Sequence, residues 1–249
     1  MNRHIIVGGG VIGMLTALQL VEAGQSVTLF ERGETGRESS WAGGGIVSPL
    51  FPWRYLDSVT KLASWSQAVY PALSAELAEQ TGIDPEYTGC GLILVAPNEA
   101  EIARSWADAH HHELQTIDAE AFRRIEPQAA NPPQEALWMP NVGQVRNPRM
   151  VKALRLVLDR LGVEIRTEDG VQQLLQHAGR CTGVRSDSGV HHADSVVICA
   201  GAWSGRLLAD LPSTPAIEPV RGQMLLFAAE PGTISRMVLE GSRYVIPRR

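Results

Sequence analysis

The sequence predicts an α/β fold: a parallel sheet with a glycine-rich turn, interrupted by a second, α+β domain that carries an antiparallel sheet. Three observations carry this. An apolar run, His4 to Val7, passes into Gly8-Gly9-Gly10-Val11-Ile12-Gly13 and then into a helical pattern. A second apolar run, Val27 to Phe30, ends on Glu31. Further on, an amphipathic pattern over residues 149–161 leads into more strand-like runs, the order that brings a chain back to a parallel sheet.

The first two runs form a βαβ unit with the layout of a dinucleotide site. Gly8 permits the tight turn, Gly10 lets backbone approach a pyrophosphate, and Gly13 lets helix and strand pack closely. The helix that begins near Val11 offers free N–H groups to an anion, and Gly24 stops it. Glu31 stands where a carboxylate accepts both hydroxyls of an adenosine ribose, which favours NAD or FAD over NADP. The unit is therefore read as Rossmann-like.

A second glycine cluster follows at Ser39-Ser40-Trp41-Ala42-Gly43-Gly44-Gly45-Ile46, too small-chained to pack a core of its own. Residues 56–81 carry Val59, Leu62, Ala63, Val69, Leu73 and Leu77 at roughly helical spacing, which predicts a long helix with Pro71 inside it and Gly82 beyond its end. A strand is expected within 87–95, then a polar helix ending in His110-His111-His112, then a short helix from 118 to 125 capped by Asp118. Prolines from Pro127 to Pro148 break up the next stretch, and the helix at 149–161 follows. Strands are expected at 163–165, 171–175, 181–185 and 195–199, a helix after Ala200, and two further strands at 223–227 and 237–246 that form an antiparallel sheet over a ligand. The domains drawn from this order are a discontinuous nucleotide-binding domain, 1–85 with 146–215, and a second domain, 86–145 with 216–249.

Composition narrows the class. The chain has 249 residues, 44% of them hydrophobic, enough for a substantial core. A formal charge of −5 without a basic patch argues against nucleic acid as a partner. No run reaches the eighteen apolar residues of a membrane span, and the N-terminus lacks the layout of an export signal. Cys90, Cys181 and Cys199 are far apart and fit no metal spacing, so they read as free thiols of a cytoplasmic protein. The histidine run reads as a solvated helix end, because adjacent helical residues do not face one point. No Gly-x-Ser-x-Gly elbow or His-Glu-x-x-His pair supports a hydrolase.

Taken in order, the Gly8–Gly13 turn, Ser39-Ser40-Trp41-Ala42-Gly43-Gly44-Gly45, Cys199-Ala200-Gly201-Ala202-Trp203-Ser204, Pro219-Val220-Arg221-Gly222-Gln223 and Tyr244-Val245-Ile246-Pro247-Arg248 resemble the D-amino-acid oxidase superfamily, and within it the glycine oxidases of thiamine biosynthesis. The resemblance spans the chain. It implies FAD as cofactor, a small amino acid or amine and oxygen as substrates, and a homo-oligomer. Carried over residue by residue, it sets Val11 and Ile12 at the pyrophosphate, Glu31 at the adenosine ribose, Arg32 among the cofactor-binding residues, and Ser39 and Ser40 at pyrophosphate hydroxyl contacts. It sets Gly44, Gly45 and Ile46 along the flavin, Val171 at the adenine, Ala200 and Gly201 in the cofactor site, and Tyr244 over the substrate. Two alternatives for the serines and the tyrosine are a helix cap and strand packing. The resemblance also implies that the arginine clamping the substrate carboxylate comes after the Tyr-x-x-Pro-Arg stretch, so the chain is expected to be shorter at its C-terminal end than a family member.

The chemistry implied is hydride transfer from the α-carbon of glycine or a small amine to flavin N5. The imine then hydrolyses to glyoxylate and ammonia, and oxygen is reduced to hydrogen peroxide. Competing readings are a D-amino-acid dehydrogenase, a sarcosine-type oxidase and a non-catalytic flavin-binding fragment.

Overall fold

The computed structural model describes residues 2–96, 98–211 and 213–248. In chain order the elements are β1 (Arg3–Val7), α1 (Val11–Glu22), β2 (Ser26–Phe30), α2 (Ser39–Ala42), α3 (Asp57–Thr81), β3 (Leu92–Val95), α4 (Ala100–His110), β4 (Gln115–Asp118) and α5 (Ala119–Ile125). They continue with β5 (Glu135–Met139), α6 (Asn147–Arg160), β6 (Glu164–Arg166), β7 (Val171–His177), β8 (Arg180–Ser186), β9 (Gly189–His192), β10 (Ser195–Ile198), α7 (Ser204–Leu207), β11 (Met237–Glu240) and β12 (Arg243–Val245). The chain forms two compact units: Met1–Gly43 with Leu77–Asp84 and Asn147–Met224, and Gly44–Glu76 with Pro85–Arg146 and Leu225–Arg249.

The first unit holds a four-stranded sheet in the order β10-β1-β2-β6, parallel throughout. Its central strands, β1 and β2, carry apolar runs because both faces are covered: Ile6 and Leu29 are fully buried, and Ile5, Val7 and Phe30 nearly so. Burying each such side chain stabilises by about 1.5–3 kcal/mol. Helix α1 buries Met14, Ala17 and Leu18, and α6 presents Met150, Leu154 and Leu158 from one stripe at helical spacing. An antiparallel sheet, β7-β8-β9, belongs to the same unit, and its Val184 packs with Ile5, Val7 and Phe30.

The second unit is built on a five-stranded sheet, β12-β11-β3-β5-β4, antiparallel except for the parallel pair β11–β3. In β3, Leu92 and Leu94 face one core with Leu137, Met139, Met237 and Leu239, while Ile93 faces another with Ile117, Phe122 and Ala136. A strand covered on both faces reads as a continuous apolar run, and Leu92-Ile93-Leu94-Val95 is that run. Asp118 caps α5, its Oδ1 accepting the N–H of Ala121 at 2.7 Å.

Several elements differ from the sequence expectations. The stretch broken by prolines contains β5, which pairs with both β3 and β4. The expected strand at 237–246 is a hairpin, β11 and β12, turning at Gly241. Residues 223–227 belong to no strand of the described residues, and Leu225, Leu226 and Phe227 are exposed. Alternating apolar residues supply a face to bury, but a strand also needs a neighbour for its ladder. Val59 and Leu62 of α3 are likewise exposed, whereas Leu77 is buried.

Candidate cofactor and substrate site

The first unit contains a cleft of about 700 Å³ at the carboxyl ends of its parallel strands. Of the expected cofactor residues it brings together Gly8, Gly10, Val11, Ile12, Glu31, Arg32, Ser39, Ser40, Val171, Ala200 and Gly201. Gly13 sits behind the lining. A Cβ there would lie 1.9 Å from the Gly8 carbonyl oxygen, so glycine is what allows α1 to start against β1. At Gly8 the backbone has φ +111, and a Cβ would meet the Cys199 carbonyl oxygen at 2.4 Å. The turn is thus closed against the end of β10 on one side and α1 on the other.

Gly10 is the N-cap of α1, and the first helical bond runs from Met14 N–H to Gly10 C=O at 3.0 Å. The N–H groups before it have no acceptor within the helix. That of Val11 donates to Ser40 Oγ at 2.9 Å. Ser40 therefore serves the start of α1 rather than capping its own short helix, which has no side-chain cap. Ile12, directly after Val11, is 64% exposed at the cleft, unusual for an isoleucine at a helix start packed on a sheet.

Glu31 follows β2 and is held by backbone: Oε2 accepts Gly9 N–H at 2.8 Å and Oε1 accepts Gly33 N–H at 3.0 Å. A carboxylate has about four acceptor positions, so two are left for ribose hydroxyls. Next to it, the Arg32 guanidinium lies 3.7 Å from the Trp203 ring centroid and pairs with Glu38 at 2.7 Å. Trp203, Arg206, Leu207, Gln172 and Asn147 also line the cleft and were not singled out from the sequence. Trp203 was within reach, being part of the Cys199–Ser204 motif; Gln172 and Asn147 carry no local signal. Burial pushes the Cys199 thiol up, with a hydrogen bond from Thr16 opposing it, which disfavours the thiolate form.

In the second unit, Gly44, Gly45 and Ile46 run beside residues 143–145. Val145 N–H donates to Gly45 C=O at 2.9 Å and Val47 N–H to Gly143 C=O at 2.9 Å, with an antiparallel bridge between Ile46 and Gln144. Tyr244 of β12 packs against this segment: a Cβ on Gly44 would lie 2.7 Å from Ile246 Cδ1, 2.9 Å from Tyr244 Cε2 and 3.2 Å from Tyr244 Oη. Tyr244 also packs against a core that includes Leu92, Leu94, Met237 and Leu239. Sequence reading passed over Arg248, whose Nη2 donates to Gly44 C=O at 2.6 Å and Nη1 to Val145 C=O at 3.1 Å and to Gln144 Oε1. Its position in the Tyr-x-x-Pro-Arg motif was the available signal.

The histidine run is not a solvated end. His112 stacks on Trp106 with centroids 4.7 Å apart and meets Ser64 Oγ at 2.7 Å, while His110 faces Asp57 at 3.4 Å. Burial and the neighbouring His110 hold the His112 ring below its ordinary pKa. Only His111, which ends α4 in the left-handed conformation, is exposed.

The FAD dependent oxidoreductase family matches residues 3–249. This chain belongs to that family. Its cofactor is FAD, and the cleft suits a dinucleotide: Gly8 in its lining and Gly13 behind it leave no room for a Cβ, a helix N-terminus opens into it, and an acid stands at the end of β2. Among curated relatives, glycine oxidase of Pseudomonas aeruginosa is 44% identical over 249 residues, covering 100% of this chain and 68% of its own length. The bifunctional protein ThiO/ThiG of Trichormus variabilis is 28% identical over 257 residues, covering 100% of this chain and 38% of its own. The crystal structure of glycine oxidase from Geobacillus kaustophilus superposes with a TM-score of 0.84 at 27% identity, covering 100% of this chain and 69% of that one. Among the described residues, no helix of this family member is long and apolar enough to cross a membrane.

Proposed function

We propose that this protein oxidises glycine or another small amine to its imine, which water converts to glyoxylate and ammonia in the case of glycine, with oxygen reduced to hydrogen peroxide. The observation that carries this reading is the packing of Tyr244 against Gly44, four residues along the chain from Ser40, which lines the dinucleotide cleft. Similarity to the glycine oxidase of Pseudomonas aeruginosa along the whole chain supports the substrate class. FAD, when bound, accepts the hydride from the amine α-carbon and passes both electrons to oxygen.

The chain's own residues bind and orient. The start of α1 at Val11 and Ile12, with the Ser39 and Ser40 hydroxyls, holds the pyrophosphate. Glu31 takes the adenosine ribose, and its charge rejects a 2′-phosphate. Arg32, stacked on Trp203, closes the adenosine end near Val171, and Ala200 and Gly201 leave room for the cofactor. Gly44 to Ile46 present backbone to the flat ring system, and the Tyr244 hydroxyl orients the substrate carboxylate. No side-chain base is needed, because a neutral amine gives up a hydride and the nitrogen proton leaves to water. Three free cysteines fit a cytoplasmic setting, and the resemblance to glycine oxidases of thiamine biosynthesis directs the product toward thiazole formation.

The test is hydrogen peroxide release under air from purified, FAD-supplemented protein. Release with glycine, and less with bulkier D-amino acids, is expected. Flavin-loaded protein that forms no peroxide with any small amine overturns the reading.

A further inference from the structure

Residues 43–45 are three consecutive glycines and hold themselves in no fixed shape. Fixing a residue's backbone costs conformational entropy, and glycine loses the most freedom. With no side chain on Gly44 or Gly45, their conformation must be set by what neighbouring groups do to their backbone. Two contacts do so within the second unit: Val145 N–H on the Gly45 carbonyl, and Arg248 on the Gly44 carbonyl.

Arg248 does more than tie one oxygen. Its Nη1 also donates to the Val145 carbonyl and the Gln144 side-chain carbonyl, so one planar guanidinium joins both chains of the 44–47 and 143–145 pairing. Gln144 is buried, and its Nε2 returns a hydrogen bond to the Pro247 carbonyl at 3.0 Å, fixing the stretch that carries Arg248. Thr88 closes the far side, exchanging backbone bonds with Gln144 at 2.9 and 3.0 Å. Burial, helped by nearby Arg146, holds the Arg248 pKa below its ordinary value, while Glu86 and Cys90 oppose this. Such a charge is costly to bury without partners, and here three oxygens accept from it.

We infer that Arg248 is a positioning residue: by pulling the Gly44 carbonyl toward itself it sets the shape of the Gly44–Ile46 segment and fixes that segment against Tyr244. A trans peptide is planar with C=O and N–H opposed, so the Gly44 carbonyl bound to Arg248 turns the Gly45 N–H away from it. That N–H is then the donor an acceptor edge of a flat ring would take. Tyr244 and Arg248 leave the same short stretch of chain, one packing on Gly44 and the other bonding to it. This inference rests on reading 44–46 as the ring-facing segment, and it adds the group that gives the segment its form.

The experiment compares the parent protein with Arg248→Met and Arg248→Lys. Amide hydrogen exchange is followed over residues 40–50 and, as a control, over β3, and FAD affinity is measured by quenching of flavin fluorescence. Arg248→Met is expected to speed exchange over 40–50 by about tenfold while leaving β3 unchanged, and to weaken FAD binding by about tenfold, the effect of losing a charge-assisted bond. Arg248→Lys, a point charge without the fork, should fall between parent and Arg248→Met on both readouts. Unchanged exchange over 40–50, faster exchange spread equally to β3, or unchanged FAD affinity in a parent that binds FAD overturns the inference. A parent that binds no FAD sinks the proposed function instead, and exchange over 40–50 then decides the role of Arg248. Should Arg248→Met fail to fold, Arg248→Lys carries the same criteria.

Discussion

The cleft of the first unit and the Tyr244 corner of the second are built in opposite ways. The glycine turn of the cleft is local, since Gly8, Val11, Gly13 and Glu31 lie within one βαβ unit, while later segments such as Val171, Ala200 and Trp203 complete the lining. The corner is assembled from distant segments, since Gly44, Gln144, Tyr244 and Arg248 meet only because β11 runs beside β3 and residues 45–47 run beside 143–145. A turn made from one contiguous motif depends on the two glycines, Gly8 and Gly13, where an added Cβ would meet backbone. A site made from distant segments depends on the anchors that bring them together.

Substitutions should divide along that line. The largest effect is expected for Gly13→Ala, whose Cβ would meet a backbone carbonyl at 1.9 Å. Backbone cannot give way cheaply, so a loss of about 3 kcal/mol is expected, with FAD binding abolished. Thermal unfolding and flavin fluorescence check this, and full FAD binding by the variant would break the account of the cleft.

Next is Glu126, a buried anchor of the second unit. Its Oε2 accepts from Ser235 N–H at 2.7 Å, Ser235 Oγ at 3.1 Å and Arg236 N–H at 2.9 Å, just before β11. Burial pushes this carboxyl up, but hydrogen bonds from Ser235, Arg236 and Gln128 outweigh it and hold the pKa below the ordinary 4.5. A carboxyl whose folded pKa is depressed adds stability that is complete above the unfolded value and is lost as pH falls through the lower, folded value. Glu126→Gln should therefore cost about 2 kcal/mol near neutral pH and flatten the stability profile below pH 4.5. Melting temperatures between pH 7 and 3 check this, and a profile parallel to that of the parent would contradict it.

Smaller effects are expected where one contact among several is lost. Glu31→Gln keeps the acceptor on one oxygen but converts the other to a donor facing a backbone N–H, so FAD affinity should fall by about tenfold, or ~1.4 kcal/mol. Tyr244→Phe keeps the ring against Gly44 and removes only the hydroxyl. KM for glycine should rise several-fold with FAD affinity unchanged, and a variant that instead loses FAD would move Tyr244 from substrate to cofactor.

The same division explains what could be read without coordinates. The glycine turn, the acid after β2 and the cap at Asp118 are short-range signals, and they stand in the structure where the pattern placed them. Strand β5 was hidden because prolines flank it on both sides and its partners, β3 and β4, are remote in sequence. Residues 223–227 show the converse: an apolar pattern announces a strand, yet pairing is a property of two segments. Ser40 has the residue type of a cap and does accept a helix-start N–H, but that of α1 rather than of its own helix. Arg248 was visible as a motif residue, while its role depended on the distant Gln144 and Gly44.

The most direct test of the account is the visible spectrum of the purified, FAD-loaded protein, recorded without oxygen before and after glycine is added. Retained flavin whose absorption bleaches on adding glycine and returns on admitting air is the predicted result. Flavin that stays bound and oxidised in the presence of glycine and every other small amine would contradict it.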